Sequence, residues 1–375
     1  MADTSAMAAA AKTQPEMPAF GLTQQQRMLR DTVRQLMERH AAPDHVRQLD
    51  LERTFPHELY AAWADAGLLQ LPFPKEYGGI GGTPVDLMVV VEELARVSTD
   101  FCMAFVSPIF CGLNIGRKGS DEQKHYWLPR VMDGSVKMFI GTSEPDAGSD
   151  VGAMRTNARR ADGRWISNGQ KLWQTGAGLP DTVISLYAKT NPEVHYRVGI
   201  SLFLVDNNAP GIELRKLDML GRRCCGTYEV YFKDVEVPVD RIVGGENKGW
   251  DCMLSGLQLE RAMAAVSSCG GAQAVVDLAL QYSKERVQFD RPIGTFQAIA
   301  HMIADMQTEV EAARSFTWRV VSMIANKQDA LREITMAKLF SSEVHAKVAN
   351  LGVQIMGAFG LSEESDMQRY FSRFP

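Results

Sequence analysis

The sequence is poor in the patterns that announce the commonest chemistries. Its six cysteines, at 102, 111, 224, 225, 252 and 269, form no Cys-x-x-Cys pair. That argues against a zinc ligand set and against a secreted disulfide framework. We read them as buried small residues in a reducing compartment. The seven histidines are scattered without ligand spacing, so no metal is expected. A Gly-x-Gly-x-x-Gly turn after a strand, a Gly-Lys-Ser/Thr phosphate loop, a Gly-x-Ser-x-Gly elbow and a His-Glu-x-x-His helix are all absent. There is no excess of positive charge: 40 Lys+Arg stand against 45 Asp+Glu, a net charge of −5. A nucleic-acid partner is therefore not expected. Continuous apolar runs are short. "LMVVV" at 87–91 stops at Glu92-Glu93, well below the ~18 residues of a membrane span.

What is present is a change of texture along 375 residues. Residues 1–20 are small, polar and low in complexity, without the arginines of a transit peptide or a leucine-rich secretory core. A disordered leader on a cytoplasmic protein is expected, with the mitochondrial matrix as the alternative. Residues 21–135 carry helical periodicity. Thr23 is the expected N-cap of a helix whose stripe is Met28, Val33, Leu36 and Met37. "HELYAAWADAGLL", "PVDLMVVVEELARVS" and "DEQKHYWLPRVMDG" repeat the signature. Residues 136–245 turn to β-branched and aromatic runs, "DTVISLYAKT", "VGISLFLVD" and "YEVYFKDVEV". "RWISNGQKLWQT" predicts a hairpin at Asn168-Gly169. This segment is expected to be a small barrel or sandwich. Residues 246–375 are helical again, with long helices and short loops that predict an antiparallel four-helix bundle. Gly270-Gly271 is expected to mark a close helix–helix contact.

Three stretches can carry chemistry. "GTSEPDAGSD" at 141–150 crowds hydroxyls, glycines and a proline into one loop that exposes backbone N–H groups. "KLWQTGAG" at 171–178 sets Thr175 two residues after the flat plate of Trp173. "LQLER" places Glu260 and Arg261 side by side on a helix. Taken alone, the loop is a surface turn or a site, and Trp173 is a core residue or a plate. The charge pair is a solvated helix face or a carboxylate base beside a substrate-binding cation.

"EPDAGSD", "SNGQKLWQTG", "LGRRCCGTYEVYFKDVEVP", "ERVQFDRPIGTFQAI" and "QIMGAFG", in this order and at this spacing, resemble the acyl-CoA dehydrogenase family from about residue 22 to 371. The resemblance implies FAD as cofactor and an acyl-CoA thioester as substrate. It implies α,β-dehydrogenation to the enoyl-CoA, with hydride to flavin N5 and electrons passed to an electron-transferring flavoprotein. It also implies a homotetramer, a dimer of dimers with FAD at the dimer interface. By similarity, Thr142 and Ser143 lie along the flavin, Trp173 packs on it and Thr175 bonds near N5. Arg286, Phe289 and Gln297 would reach the neighbouring subunit's FAD, as would Gln354 and Gly357. Ser149 corresponds to the hydroxyl near the CoA arm, and Met103, with Cys102 and Val106, would line the acyl tunnel. Two positions depart from the pattern, with Asp290 and Ala358 where glycines are usual. The sequence ends at "RYFSRFP", before the family segment resembling "IYEGTSEIQ" that carries the base in many members. Glu260 matches the base of the isovaleryl-CoA and long-chain enzymes, and Arg261 their substrate-side arginine. A flavin oxidase or monooxygenase shares the fold, as would a catalytically impaired relative, and resemblance of fold alone does not separate them.

Overall fold

Thr23 opens the first helix because its hydroxyl and the Gln26 amide satisfy each other's backbone. In the computed structural model, which describes residues 21–372, α1 (Gln24–His40) begins with a reciprocal capping box. Gln26 N–H donates to Thr23 Oγ1 at 3.2 Å, and Thr23 N–H donates to Gln26 Oε1 at 3.0 Å. The buried stripe of α1 is Leu29, Val33 and Met37. Met28, expected in that stripe, is 50% exposed, because positions 29, 33 and 37 align at i, i+4 and i+8 and leave 28 on the flank. The expected leader at 1–20 lies outside the described residues.

Five further helices follow: α2 (Pro43–Glu52), α3 (His57–Asp65), α4 (Pro84–Val97), α5 (Thr99–Lys118) and α6 (Asp121–Met132). Thr83 caps α4 and Ser120 caps α6, each through a capping box. Strands β1 (Lys137–Gly141), β2 (Asn157–Ala161), β3 (Arg164–Thr175), β4 (Thr182–Lys189), β5 (Ile200–Asp206), β6 (Ile212–Leu217), β7 (Thr227–Pro238) and β8 (Ile242–Val243) come next. The chain then returns to helices: α7 (Gly249–Glu285), α8 (Gln297–Ala325), α9 (Leu331–Met356) and the short α10 (Met367–Ser372). A small hairpin, β9 (Val287–Gln288) with β10 (Arg291–Pro292), lies between α7 and α8. The expected order of helical, β and helical segments is thus the observed one.

Compactness groups these elements into two units. Among the described residues, one comprises those up to Leu59, Gly82–Met103 and those from Gln258 onward; the other comprises Tyr60–Gly81 and Ala104–Leu257. The first is called the helical unit below and the second the sheet unit.

In the sheet unit, eight strands run in the order β6-β7-β3-β2-β4-β5-β8, with β1 parallel to β4. The two halves of the sheet are joined by one residue pair, Asn157 with Lys189. They face each other across a core that includes Trp165, Leu186, Phe203, Val230 and Phe232. Trp165 of β3 meets Phe203 of β5 edge-on at 5.3 Å, although these strands are not neighbours in the sheet. That is the two-layer packing a sandwich requires. The hairpin expected at Asn168-Gly169 is not there: β3 runs straight through it, and the β2–β3 turn sits at Asp162-Gly163. Gly169 instead marks a break in the β3–β7 register after Ser167. Its φ is +146°, and a Cβ there would lie 2.5 Å from Thr156 Oγ1. The glycine serves a bulge and a close approach rather than a turn.

In the helical unit, α8 and α9 are joined by a short loop and pack antiparallel, with α7 against both. Cys269 faces Thr317, and Val275 lies against Gly352. Gly270 makes the expected close contact: a Cβ there would sit 2.4 Å from the Glu92 carbonyl oxygen of α4. Glu92 is itself buried between Arg314 Nε at 2.6 Å and Trp318 Nε1 at 2.9 Å, tying α4 to α8. All six cysteines are buried. Two helices, α5 and α7, are long and apolar enough to span a membrane by length and composition, which short continuous runs did not suggest. Of the apolar window in each, 78% and 72% is buried in protein, as in an ordinary core helix.

Candidate active site

Two of the expected cofactor stretches meet within the sheet unit. Thr142 and Ser143 leave the end of β1, and Trp173 and Thr175 close β3. Leu172 N–H donates to the Ser143 carbonyl at 2.9 Å. Lys171 Nζ donates to the Thr142 carbonyl at 2.9 Å and to Glu144 Oε1 at 2.8 Å. Glu144 in turn accepts from Arg155 N–H at 2.6 Å and Thr156 N–H at 3.0 Å. Its backbone pairs with Ala147, closing the loop on itself. Ser149 lies exposed in the same loop.

Neither Lys171 nor Glu144 stood out in the sequence, because a lysine in a strand is ordinarily a solvent-facing residue. The signal was their phase. In β3 the buried positions are Trp165, Ser167, Lys171 and Gln174, once the register breaks are allowed for. Lys171 therefore falls on the inner face. Its side chain is 0% exposed and that of Glu144 6%. Burial pulls the Lys171 ammonium down to about 8, with the Glu144 charge acting the other way. Desolvation pushes Glu144 up, but the lysine and the hydrogen bonds outweigh it and hold the carboxyl below its ordinary range.

These residues fit a flavin. Thr142 Oγ1 is buried and has no partner among the described residues. Such an atom is costly unless something else meets it. Trp173 is 56% exposed with φ +64°. That is an unusual backbone for a bulky residue, held where a flat apolar plate faces outward. Thr175 is half-buried beside it in sequence, and Gln174 between them points inward against Gly141.

The remaining candidates belong to the helical unit. Glu260 and Arg261 lie on α7. Among the described residues no ion pair joins them; Arg261 Nη1 reaches Thr335 Oγ1 of α9 at 3.4 Å. Successive helix positions diverge by ~100°, so neighbours in sequence point apart. Glu260 is open to solvent on one side. The protein packed around it still withholds enough water to raise its carboxyl above the ordinary range, with Arg261 acting against that shift. Met103 on α5 is half-buried, while Cys102 is fully buried and bonds the Val91 carbonyl. Cys102 is thus a packing residue.

Arg286, Phe289, Gln297, Gln354 and Gly357 are all exposed. Phe289, at the tip of the β9–β10 hairpin, is 86% exposed and meets Phe296 edge-on at 6.0 Å, next to Gln297. Tyr282, near the end of α7, stacks on Phe359 at 5.9 Å and so brings the turn after α9 to the base of the hairpin. A cleft of about 650 Å³ elsewhere in this unit is lined by Arg34, Glu93, Arg96, Asp277 and Arg369 among others. It contains none of the candidate residues. Its charges pair with one another, Arg34 with Glu93 at 2.7 Å and Arg96 with Asp277 at 2.6 Å, as in a packing seam.

Three family models match successive parts of the chain. They are the N-terminal domain of acyl-CoA dehydrogenase over residues 23–135, its middle domain over 140–235 and its C-terminal domain over 247–375. The caffeyl-CoA reductase–Etf complex subunit CarC of Acetobacterium woodii is 34% identical over 93% of this chain and 92% of its own length. The mitochondrial isovaleryl-CoA dehydrogenase of Pongo abelii is 33% identical over 93% and 84% respectively. A solved glutaryl-CoA dehydrogenase of Mycobacterium smegmatis, in complex with FADH2, superposes with a TM-score of 0.87 at 26% identity, covering 94% of this chain and 89% of that one.

Proposed function

The chain belongs to the acyl-CoA dehydrogenase family, whose members are FAD-dependent oxidoreductases, and on that premise we propose that it converts an acyl-CoA thioester to the trans-2-enoyl-CoA with Glu260 as the α-proton base. The observation that carries the cofactor half of this reading is the meeting of 142–143 with 172–175, with Thr142 Oγ1 buried and unpartnered. FAD, when bound, would supply the two-electron acceptor for the β-hydride, with an electron-transferring flavoprotein, the kind of partner named in the CarC complex, as the onward acceptor. Thr142, Ser143, Trp173 and Thr175 hold its ring. Arg286, Phe289, Gln297, Gln354 and Gly357 reach the cofactor of a second copy.

An α-proton of a thioester is far less acidic than any side chain, so the base needs a matched pKa and a poorly hydrated position. Glu260 has the raised carboxyl that this demands. Arg261 is the cation for the CoA arm, since its fork suits phosphate oxygens, and it reaches toward α9 instead of forming an ion pair with the base. Ser149 and Met103 complete the substrate contacts. A homotetramer is supported by apolar residues left on the surface of the helical unit. These are Phe289 at the hairpin and Leu331, Met336, Leu339 and Phe340 along α9.

The purified protein is expected to show an oxidised-flavin spectrum that bleaches anaerobically when the right acyl-CoA is added. A protein that binds no FAD sinks the proposal. Rapid oxygen consumption without another acceptor makes it an oxidase instead.

A further inference from the structure

Lys171 and Glu144 form a buried ion pair whose geometry points outward from itself. Such pairs contribute little net stability, because desolvation of both charges offsets their attraction. Here the ammonium also holds a backbone carbonyl, that of Thr142, at 2.9 Å. The Thr142–Ser143 peptide is trans. Its C=O and N–H therefore point in opposite directions. With the carbonyl tied to Lys171, the Ser143 N–H faces away from the buried pair, and it makes no hydrogen bond among the described residues. The next carbonyl, that of Ser143, is tied to β3 as well, through Leu172 N–H at 2.9 Å. Glu144 is anchored by Arg155 and Thr156, so the ammonium is gripped from a fixed point. The result is a short stretch with its carbonyls drawn inward and one N–H left for a ligand acceptor.

We propose that Lys171 is a positioning residue for the cofactor: by holding the Thr142 carbonyl and the Glu144 carboxylate, it turns the Ser143 N–H outward as a donor to the polar edge of the flavin ring. The proposal rests on the reading that 142–143 and 173–175 hold FAD. It adds a role for a residue that does not touch the cofactor.

The test uses the full chain stripped of flavin and titrated with FAD. Lys171→Met is expected to raise the Kd for FAD about tenfold or more, the order of one lost, well-directed hydrogen bond. Lys171→Arg, which keeps the charge and the donors, should recover part of that loss. In the wild-type apoprotein, residue-resolved hydrogen exchange should find the Ser143 amide fast and slowed by FAD, with the Leu172 amide protected in both states. This second measurement needs no variant and decides the matter if Lys171→Met does not fold. An unchanged Kd in Lys171→Met, even with a lower melting temperature, overturns the proposal. So does a Ser143 amide already protected before FAD is added, or indifferent to it. If Thr175→Ala weakens FAD binding while Lys171→Met does not, the cofactor reading survives and the Lys171 role alone falls. A parent protein that takes up no FAD overturns both.

Discussion

In the proposed mechanism, Glu260 is the residue on which the chemistry turns. Its raised carboxyl means the folded state holds that proton more tightly than the unfolded chain does. Between the ordinary carboxylate range and the raised value, stability therefore falls as pH rises. At neutral pH the ionised Glu260 is a net cost to folding. Glu260→Gln should accordingly raise the melting temperature at pH 7, or leave it unchanged, while lowering turnover on the order of 10²–10⁴-fold. A variant that is less stable and still active at full rate would remove Glu260 from the mechanism. The wild-type rate should decline as pH falls through the raised carboxyl, since only the ionised form accepts a proton. Arg261→Ala should raise KM for acyl-CoA with a smaller effect on kcat, as expected for a group that binds the CoA arm. Equal loss in both parameters would contradict that role. Lys171 behaves oppositely to a surface lysine. With its ammonium drawn down to about 8 from 10.5, the folded state sheds a proton first as pH rises, and this group's contribution to stability grows between those values.

At the scale of elements, two glycines record where backbones meet. Gly270→Ala would force a methyl against the Glu92 carbonyl at 2.4 Å and Ala95 Cβ at 3.1 Å. The clash is with backbone, so α4 and α7 must separate. A loss of about 1–3 kcal/mol in a denaturant titration is expected. Gly169→Ala would meet Thr156 at the bulge of β3, two residues before Lys171. It should cost a similar ~1–3 kcal/mol, and it should also weaken FAD binding by shifting the strand that carries Trp173. Gly270 was legible from the doubled glycine in a helical pattern. Gly169 was misread, because Asn-Gly is a turn signal only when the chain actually reverses. The partner strands decided that: β7 pairs on both sides of Gly169 and carries β3 through.

For the whole molecule, the exposed apolar surface sets the expectation. Phe289 at 86% and Leu339 at 57% exposed leave apolar area for further copies of the chain, as the proposed tetramer requires. Light scattering on the purified protein should give four times the chain mass. Leu339→Lys with Phe340→Glu should lower the order of assembly without unfolding the chain, as measured by the same scattering and by circular dichroism. Phe289→Ser should reduce flavin retention as well as assembly, because Arg286, proposed to reach the cofactor, directly precedes the hairpin that bears it. A monomeric wild-type protein with full flavin would separate the hairpin from both roles.

The division of labour between sequence and fold is visible at particular residues. Periodicity and capping chemistry are local, so Thr23 announced α1, helical periodicity announced α4 and α6, and the β-branched runs announced β4, β5 and β7. Co-ordered motifs pointed to the family and to Trp173, Thr175 and Glu260. Three things were decided only by tertiary structure. Strand pairing settled that β3 continues through Asn168-Gly169. Packing settled that Cys102 bonds the Val91 carbonyl rather than standing free. Burial turned Lys171 from an ordinary strand lysine into the centre of a polar knot. Each depends on what lies opposite in space from a residue far away in the chain. No local pattern carries that, since hydration and pairing are properties of the assembled interior.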